Sequence, residues 1–134
     1  MNIKIANEDD LKSVATILHD ARFTADAVDF DAATHTFTLR CWAHEPKPKG
    51  IGVTRAWQAH RLSFTNVTEC KLDVKEKVIY YELATIRFSK RDSRLDLITH
   101  YAVTMSLQLA KLEGTLIETN ERREQWNKSE SSAA

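Results

Sequence analysis

Two adjacent residues, His19 and Asp20, form the most conspicuous chemical pair in the sequence. An imidazole near the C-terminus of a helix is stabilised as the cation, and a neighbouring carboxylate could orient it. Adjacent side chains point in different directions on most backbones, however, and no nucleophile motif accompanies the pair. We therefore expect His19 to cap the last helix carbonyls and Asp20 to bond backbone amides, and we predict no catalytic residue.

The other histidines and the cysteines lack the spacing of a metal site. His44 and His60 flank a long loop without the i, i+2 or i, i+4 spacing that makes a zinc motif specific. Cys41 and Cys70 lie far apart, and neither belongs to a CxxC or CxxH pair. We expect reduced, buried or half-buried thiols, with no metal and no cofactor.

The strongest binding pattern is carried by basic and tryptophan residues, namely Arg40, Trp42, Arg55, Trp57 and Arg61. Such residues can stack bases and hold phosphates, as in single-strand nucleic-acid binders. Alternatively, the tryptophans cover one sheet face and the basic side chains keep a loop soluble. The 19 Lys and Arg balance the 19 Asp and Glu, which disfavours a polyanion partner. Trp and Arg anchor protein interfaces, so we predict a protein partner.

The segment after Ile5 predicts one amphipathic helix. Asn7 can cap its first amides, and the acidic run 8–10 places negative charge at the positive end of the helix dipole. Apolar residues then recur at the three-four spacing of one face, namely Leu11, Val14, Ala15 and Leu18. We expect the helix to end near His19.

Period-two alternation covers most of the remaining chain. The clearest strand places His35, Phe37, Leu39, Cys41 and Ala43 on one face. Residues 45–56 hold both prolines and predict one long loop. Further alternating segments cover 20–30, 57–66, 67–74, 78–89, 95–98 and 103–117. The first of these contains a bulge or kink before Val28, and the last extends through a bulge to about Ile117. We predict an α+β fold with one N-terminal amphipathic helix packed on a curved antiparallel sheet of about seven strands.

The 134 residues have the length of one domain, which we place at 1–118. Residues 119–134 are polar and predict a frayed C-terminal tail. The first residues turn acidic where a signal peptide would place its apolar run, and no stretch approaches the roughly 18 apolar residues of a membrane span. We expect a cytoplasmic protein that does not contact a membrane.

Four short motifs follow one another along the chain. They are the acidic helix start at 7–11, the junction Ile17-Leu18-His19-Asp20-Ala21, the strand end at 38–42 and the segment 61–67. In this order they resemble small bacterial domains of unknown function, with His19 where Gln is common and residues 99–102 in place of a Gly-rich hairpin. The His-Asp-Ala step is also loosely similar to some bacterial immunity proteins. Both resemblances imply fold positions and no catalytic residues.

These observations predict a non-enzymatic domain that binds another protein chain or a second copy of itself. One alternative is a small-molecule binder or enzyme that uses a concave sheet face, with His35, Arg40 or His100 reaching into it. Another is a single-stranded nucleic-acid binder, which requires the arginines and both tryptophans to share one exposed surface.

Overall fold

A computed structural model describes residues 2–45, 56–75, 77–100 and 103–123. In these ranges the chain forms ten β-strands, one α-helix and a short 3₁₀ helix. The N-terminal elements are β1 (Asn2–Ile5), α1 (Glu8–Ile17), β2 (Arg22–Phe23), the 3₁₀ helix (Ala25–Ala27), β3 (Val28–Asp31) and β4 (Thr36–His44). The others are β5 (Trp57–Phe64), β6 (Val67–Val74), β7 (Tyr81–Ser89), β8 (Arg94–Thr99), β9 (Val103–Leu109) and β10 (Gly114–Arg123).

The helix α1 forms where the sequence predicts it. The Asn7 side chain accepts a hydrogen bond from the Asp10 amide at 2.9 Å, and the Asp10 carboxylate accepts one from the Ala6 amide at 2.9 Å. These bonds satisfy amides that have no partner inside the helix. The apolar stripe buries Leu11 and Val14. The prediction of one amphipathic helix is therefore confirmed for the described chain, and α1 ends at Ile17.

The strands form one antiparallel sheet in the order β1-β10-β5-β4-β2-β7-β8-β9-β6, and β3 pairs with β4 outside this path. We call β1, β10, β5, β4 and β3 the first half-sheet, and β7, β8, β9 and β6 the second. The two-residue strand β2 joins them, because Arg22 pairs with Trp42 on β4 and with Glu82 on β7. The sheet is not closed.

A tight turn between β5 and β6 brings the two half-sheets together at one end. Asn66 has a φ of 59°, in the left-handed region that Asn tolerates better than most residues. The Val67 amide then donates to the His35 carbonyl at 2.9 Å, and the Ala110 amide donates to the Asn66 carbonyl at 2.8 Å. The start of β6 therefore lies beside the start of β4.

One hydrophobic core unites both half-sheets and the helix. Alternate residues of the first half-sheet, such as Leu39 and Leu62, belong to the same buried cluster as Leu97 and Leu107 of the second. The helix adds Leu11 and other apolar side chains to this cluster. The apolar residues that alternate along the sequence are thus the ones that the sheet buries.

The predicted number of about seven strands is wrong, because the described chain has ten. The predicted strand over 20–30 divides into β2, the 3₁₀ helix and β3. The predicted strand over 103–117 divides into β9 and β10. Leu112 packs against the core inside the second break, so the apolar pattern continues through a turn and conceals it.

Two local expectations also need correction. His35 does not share the buried face of Phe37; it is exposed in the turn before β4, with a φ of 55°. The polar segment after Glu118 continues β10 to Arg123, where residues pair with β5. Most of the predicted long loop, residues 46–55, and the tail from residue 124 lie outside the described residues. In the described ranges, no helix has the length and apolar character that crossing a membrane requires.

Gly114 on β10 provides a test of the packing between β10 and β5. A Cβ atom there would lie 2.7 Å from Phe64 Cδ1 and closer still to the Ser63 carbonyl oxygen. Overpacking of this kind costs about 1–3 kcal/mol, so we expect Gly114→Ala to lower the free energy of unfolding by that amount in urea titration. Thr115→Ala, at an exposed neighbour, serves as the control. Equal stability of Gly114→Ala and the wild type would contradict the packing.

Candidate functional site

The outer face of the first half-sheet, opposite the core, holds most of the sequence-predicted binding residues. Across β4 and β5, Arg40 lies directly opposite Arg61, and Trp42 lies directly opposite Ala59. Trp57 shares this face, because its partner His44 is two residues beyond Trp42. The structure therefore brings Arg40, Trp42, Trp57 and Arg61 onto one face. Arg55 lies outside the described residues.

The two tryptophans on this face are covered. Trp42 and Trp57 are each 5% exposed and, with Ala59, form a cluster separate from the main core, which we call the tryptophan cluster. The His44 ring lies 3.8 Å from the Trp57 ring, between centroids. The buried Trp42 Nε1 has no hydrogen-bond partner in the described part of the chain. The described tryptophans therefore present no open ring surface on which a base could stack.

Arginines from two further strands stack on the tryptophan cluster. The Arg22 guanidinium carbon lies 4.8 Å from the Trp57 ring centroid and 4.7 Å from that of Tyr80. Arg123 lies 4.8 Å from the Trp42 ring centroid. A cation over an aromatic face is attracted by the ring quadrupole, so these contacts stabilise the cluster. Sequence reasoning missed both arginines, because the pairings of β2 and β10 are not local.

An ion pair joins the residue after β4 to the end of β10. Arg122 donates hydrogen bonds to both carboxylate oxygens of Glu45. This contact holds the pKa of the Glu45 carboxyl below its ordinary value. Gln58 donates to the Glu121 carbonyl at 2.9 Å, so the end of β10 is fixed to β5.

Arg40 and Arg61 are exposed and lie directly opposite each other. The Arg40 guanidinium donates to the Asp26 backbone carbonyl at 3.3 Å, and no carboxylate of the described chain forms an ion pair with either arginine. Like charges at opposed positions repel, so this pair costs stability. The face is therefore positively charged between β4 and β5.

His19, Asp20 and His100 form a polar cluster between the end of α1 and the end of β8. His100 Nε2 lies 2.9 Å from Asp20 Oδ1, and His19 Nε2 lies 3.5 Å from Asp20 Oδ2. Asp20 has a φ of 63°, which turns the chain from the helix toward β2. These contacts differ from the predicted capping, because His19 Nδ1 bonds the Ala84 carbonyl at 3.1 Å instead of a helix carbonyl.

The cluster joins elements without forming a metal site. Its three side chains are substantially exposed. Among the described residues, no group of three or more His, Cys, Asp or Glu side chains is arranged to hold a metal ion. The sequence could not reveal the contact between Asp20 and His100, because the two residues are remote along the chain. The cluster therefore fixes the end of α1 against the end of β8.

The two cysteines and His60 are withdrawn from solvent to different extents: Cys41 and His60 are buried, and Cys70 is half-buried. Complete burial raises the pKa of the Cys41 thiol to about 12, and partial burial raises that of Cys70. Both thiols therefore stay protonated, which suppresses thiolate chemistry. Burial lowers the pKa of His60, whose Nδ1 lies 3.0 Å from the Gln58 carbonyl oxygen.

The residues named for a concave ligand site do not converge. His35 is exposed in a turn, Arg40 lies on the outer face and His100 follows β8. The core side of the first half-sheet is instead filled by apolar side chains such as Phe37 and Phe64, which are fully buried. Nothing in the described chain therefore favours that site.

The free side of β6, which we call the β6 edge, combines an unpaired strand with exposed apolar side chains in the described chain. Among the described strands β6 pairs with β9 alone, at the end of the sheet order. The exposed large hydrophobic residues of the described chain lie on β6 or just after it: Leu72 (54%), Val74 (48%), Val78 (42%) and Ile79 (59%). Exposed apolar side chains along an unpaired strand are typical of an interaction site.

The backbone hydrogen bonds of β9 show which N–H and C=O groups of β6 point outward. The Leu109 amide donates a hydrogen bond to the Ser93 carbonyl, just before β8. In an antiparallel sheet successive residues form their backbone hydrogen bonds on opposite sides, so Leu109, Leu107 and Met105 face β8. Ser106 and Thr104 therefore form their backbone hydrogen bonds with β6. Their partners on β6 are Lys71 and Asp73. These two residues of β6 therefore direct their backbone groups inward, toward β9.

The alternate residues Cys70, Leu72 and Val74 consequently direct their N–H and C=O groups away from β9. Two of these residues also have exposed apolar side chains. The β6 edge therefore offers backbone donors and acceptors together with apolar contacts. Sequence reasoning assigned this strand but did not identify it as an edge.

Comparison of the chain with protein-family models, curated proteins and solved structures finds no match. The resemblance to small bacterial domains and to immunity proteins therefore stays a prediction.

His60 gives a test of burial beneath β5. Its folded-state pKa is below the ordinary value of 6.5, so the unfolded chain binds more protons as the pH falls below that value. Stability contributed by neutral His60 is therefore present above pH 6.5 and is lost as the pH falls through the folded-state pKa. We expect urea titrations to show a smaller loss on acidification for His60→Gln than for the wild type. An equal loss of stability on acidification in the variant and the wild type would contradict the burial of neutral His60.

Arg61 gives a test of charge repulsion on the outer face. Arg61→Glu replaces a repulsive pair with Arg40 by an attractive one, so we expect the free energy of unfolding to rise by about 0.5 kcal/mol at low salt. Arg61→Gln removes the repulsion alone and should give a smaller gain. Added salt should reduce both gains. A loss of stability in Arg61→Glu at low salt would show that the opposed guanidinium groups do not repel.

Proposed function

We propose that the protein is an interaction domain that binds an extended strand of a partner protein along the β6 edge. The observation that carries this proposal is the unpaired edge whose outward backbone groups belong to Cys70, Leu72 and Val74. In such strand addition, backbone hydrogen bonds supply affinity and alternate side chains supply specificity. No catalytic step is part of this function.

The other edge of the sheet is less suited to binding. β1 has four residues, whereas β6 has eight. The exposed side chains of β1 include Asn2 and Lys4, which are polar. Short strands and lysines protect an edge against pairing. The exposed Leu72 and Val74 distinguish the β6 edge and favour it as the docking strand.

A bulge sets the usable length of the β6 edge. The register against β9 shifts between Val67 and Glu69 and is regular from Glu69 to Val74. Beyond the bulge, the Val67 amide donates to the His35 carbonyl, so this end of β6 is already engaged. We therefore place the docking segment at residues 69–74, where the strand is straight and its outward groups alternate regularly.

The tryptophan cluster supports the sheet in this proposal. Arg22, His44 and Arg123 contact its rings, so the cluster stabilises the pairing of β4 with β5 and β2. The exposed arginines beside it carry charge without an accessible aromatic platform. Nucleic-acid binding and a concave ligand site remain predictions that no specific observation favours.

A proline at position 72 tests strand docking at the β6 edge with little effect on the hydrogen bonds between β6 and β9. Proline has no N–H, and the Leu72 N–H points away from β9, so Leu72→Pro removes an outward donor while the bonds between β6 and β9 stay in place. We expect peptides selected from a random-sequence display library for binding to the wild type to bind Leu72→Pro about tenfold more weakly. Fluorescence anisotropy with labelled peptides measures the change.

Lys4→Pro is the matched control at the other edge. The Thr65 amide donates to the Glu113 carbonyl, so Leu116 and Gly114 direct their backbone groups toward β1, where they meet Ile3 and Ile5. The Lys4 N–H therefore points outward like that of Leu72. Circular dichroism checks that both variants fold. Peptides that bind Leu72→Pro as tightly as Lys4→Pro would exclude the β6 edge as the docking strand.

A further inference from the structure

We infer that the strand bound at the β6 edge is β6 of a second copy of this chain, antiparallel and related by a two-fold axis at Leu72. This inference rests on the proposed function and names its partner. It follows from the order of charges along β6, from the direction of its backbone groups and from its exposed apolar side chains.

The charges on one face of β6 alternate in sign. They belong to Glu69, Lys71 and Asp73, followed by Lys75 just beyond the strand. An antiparallel pair centred on Leu72 places Lys71 opposite Asp73 of the second copy, and Glu69 opposite Lys75 of the second copy. The two-fold axis repeats each contact, so every charge in this row faces the opposite sign. Opposed charges of this kind stabilise paired strands.

The backbone groups fit the same register. Leu72 meets Leu72 of the second copy, and Cys70 meets Val74 of the second copy. All of these residues direct their N–H and C=O groups outward, as required of the hydrogen-bonded positions in an antiparallel pair. The register that satisfies the charges therefore also satisfies the backbone.

The apolar side chains add a buried strip to the interface. Leu72 and Val74 are exposed in the single chain, and pairing places each against an apolar side chain of the second copy. Val78 and Ile79, which follow the strand, are also exposed and can extend this strip. Burial of these side chains provides the hydrophobic contribution to association.

The neighbouring registers are less favourable. Centring the pair on Lys71 opposes Lys71 to itself and Glu69 to Asp73 of the second copy, so like charges meet. Centring it on Cys70 or Val74 sets Glu69 opposite Lys71, or Asp73 opposite Lys75, of the second copy. Within the regular segment 69–74, however, the first register pairs only residues 69–71 and the second pairs only Val74, whereas the pair centred on Leu72 joins residues 70–74. The existing ion pair between Lys71 and Glu69, 3.6 Å apart within the chain, is solvent-exposed and contributes little. It does not compete strongly with contacts to the second copy.

A two-fold pair also protects the edge. Both copies use the same strand, so the contact closes after two chains instead of extending into a fibre. The two ends of the joined strand order are then the short β1 strands, whose exposed side chains are those of Asn2 and Lys4. The small interface predicts a reversible dimer instead of a permanent one.

Charge exchange across the axis tests this register. Sedimentation equilibrium of the full chain, up to about millimolar concentration, should show a reversible dimer of the wild type. Lys71→Asp and Asp73→Lys each place like charges opposite one another at two symmetric positions, so each should weaken dimerisation about tenfold. The double variant Lys71→Asp/Asp73→Lys restores opposite charges and should regain the wild-type constant within about a factor of three.

The double variant separates the registers. In a pair centred on Cys70, the aspartate introduced at position 71 would face Glu69 of the second copy. In a pair centred on Val74, the lysine introduced at position 73 would face Lys75 of the second copy. Only the pair centred on Leu72 therefore predicts recovery. Lys4→Asp on β1 makes the same change of net charge as Lys71→Asp and should leave dimerisation unchanged. Circular dichroism checks the fold of each variant.

Each outcome decides the inference. A wild-type dimer that both single variants weaken and the double variant restores supports it. If the double variant dimerises as weakly as the single variants, the register centred on Leu72 is wrong. If the wild type is a monomer at every concentration, the partner is not a second copy. In the last case, selected peptides that still bind the wild type and lose affinity for Leu72→Pro leave the proposed function intact. If the wild type is a monomer and the selected peptides bind Leu72→Pro as tightly as the wild type, the proposed function is wrong as well.

Discussion

The continuity of hydrogen bonding across the sheet depends on the two residues of β2, which pair with both β4 and β7. Arg22 and Phe23 alternate in the usual way of a strand, so one side chain points outward and the other inward. Phe23 packs in the core with its ring 5.6 Å from that of Tyr81, between centroids. Arg22 stacks on Trp57 outside. One short strand thus couples the main core, the tryptophan cluster and both half-sheets, and its hydrogen bonds orient β4 toward β7.

Local features of the fold could be predicted, whereas the features that depend on pairing could not. Asn7 and the apolar stripe identify α1 because capping and helical spacing are encoded within a few residues. The sequence indicates a bulge or kink in each of two segments, but it does not show that the strands end after Phe23 and Leu109, because apolar residues continue while the backbone turns. The sequence assigns His35 to the wrong face for a related reason: periodicity assigns a face to a residue but does not show where a strand begins.

The candidate site shows the same division. Arg40, Trp42, Trp57 and Arg61 share one sheet face, as their spacing suggested, but burial of the tryptophans depends on Arg22 and Arg123, which no local motif connects to them. The alternating charges of β6 look like an ordinary solvated strand. Only the strand order makes this strand an edge, and only the hydrogen bonds of β9 show which of its backbone groups face outward.

The pairing of β1 with β10 constrains how the chain folds during its synthesis. Asn2 and Ile5 pair with Ile117 and Gly114, so β1 cannot pair until β10, which is separated from it by eight strands along the chain, has been synthesised. In contrast, β7, β8 and β9 are successive in sequence and adjacent in space, so they can pair as they emerge. The nascent chain therefore carries an incomplete first half-sheet until β10 arrives and fills the gap between β1 and β5.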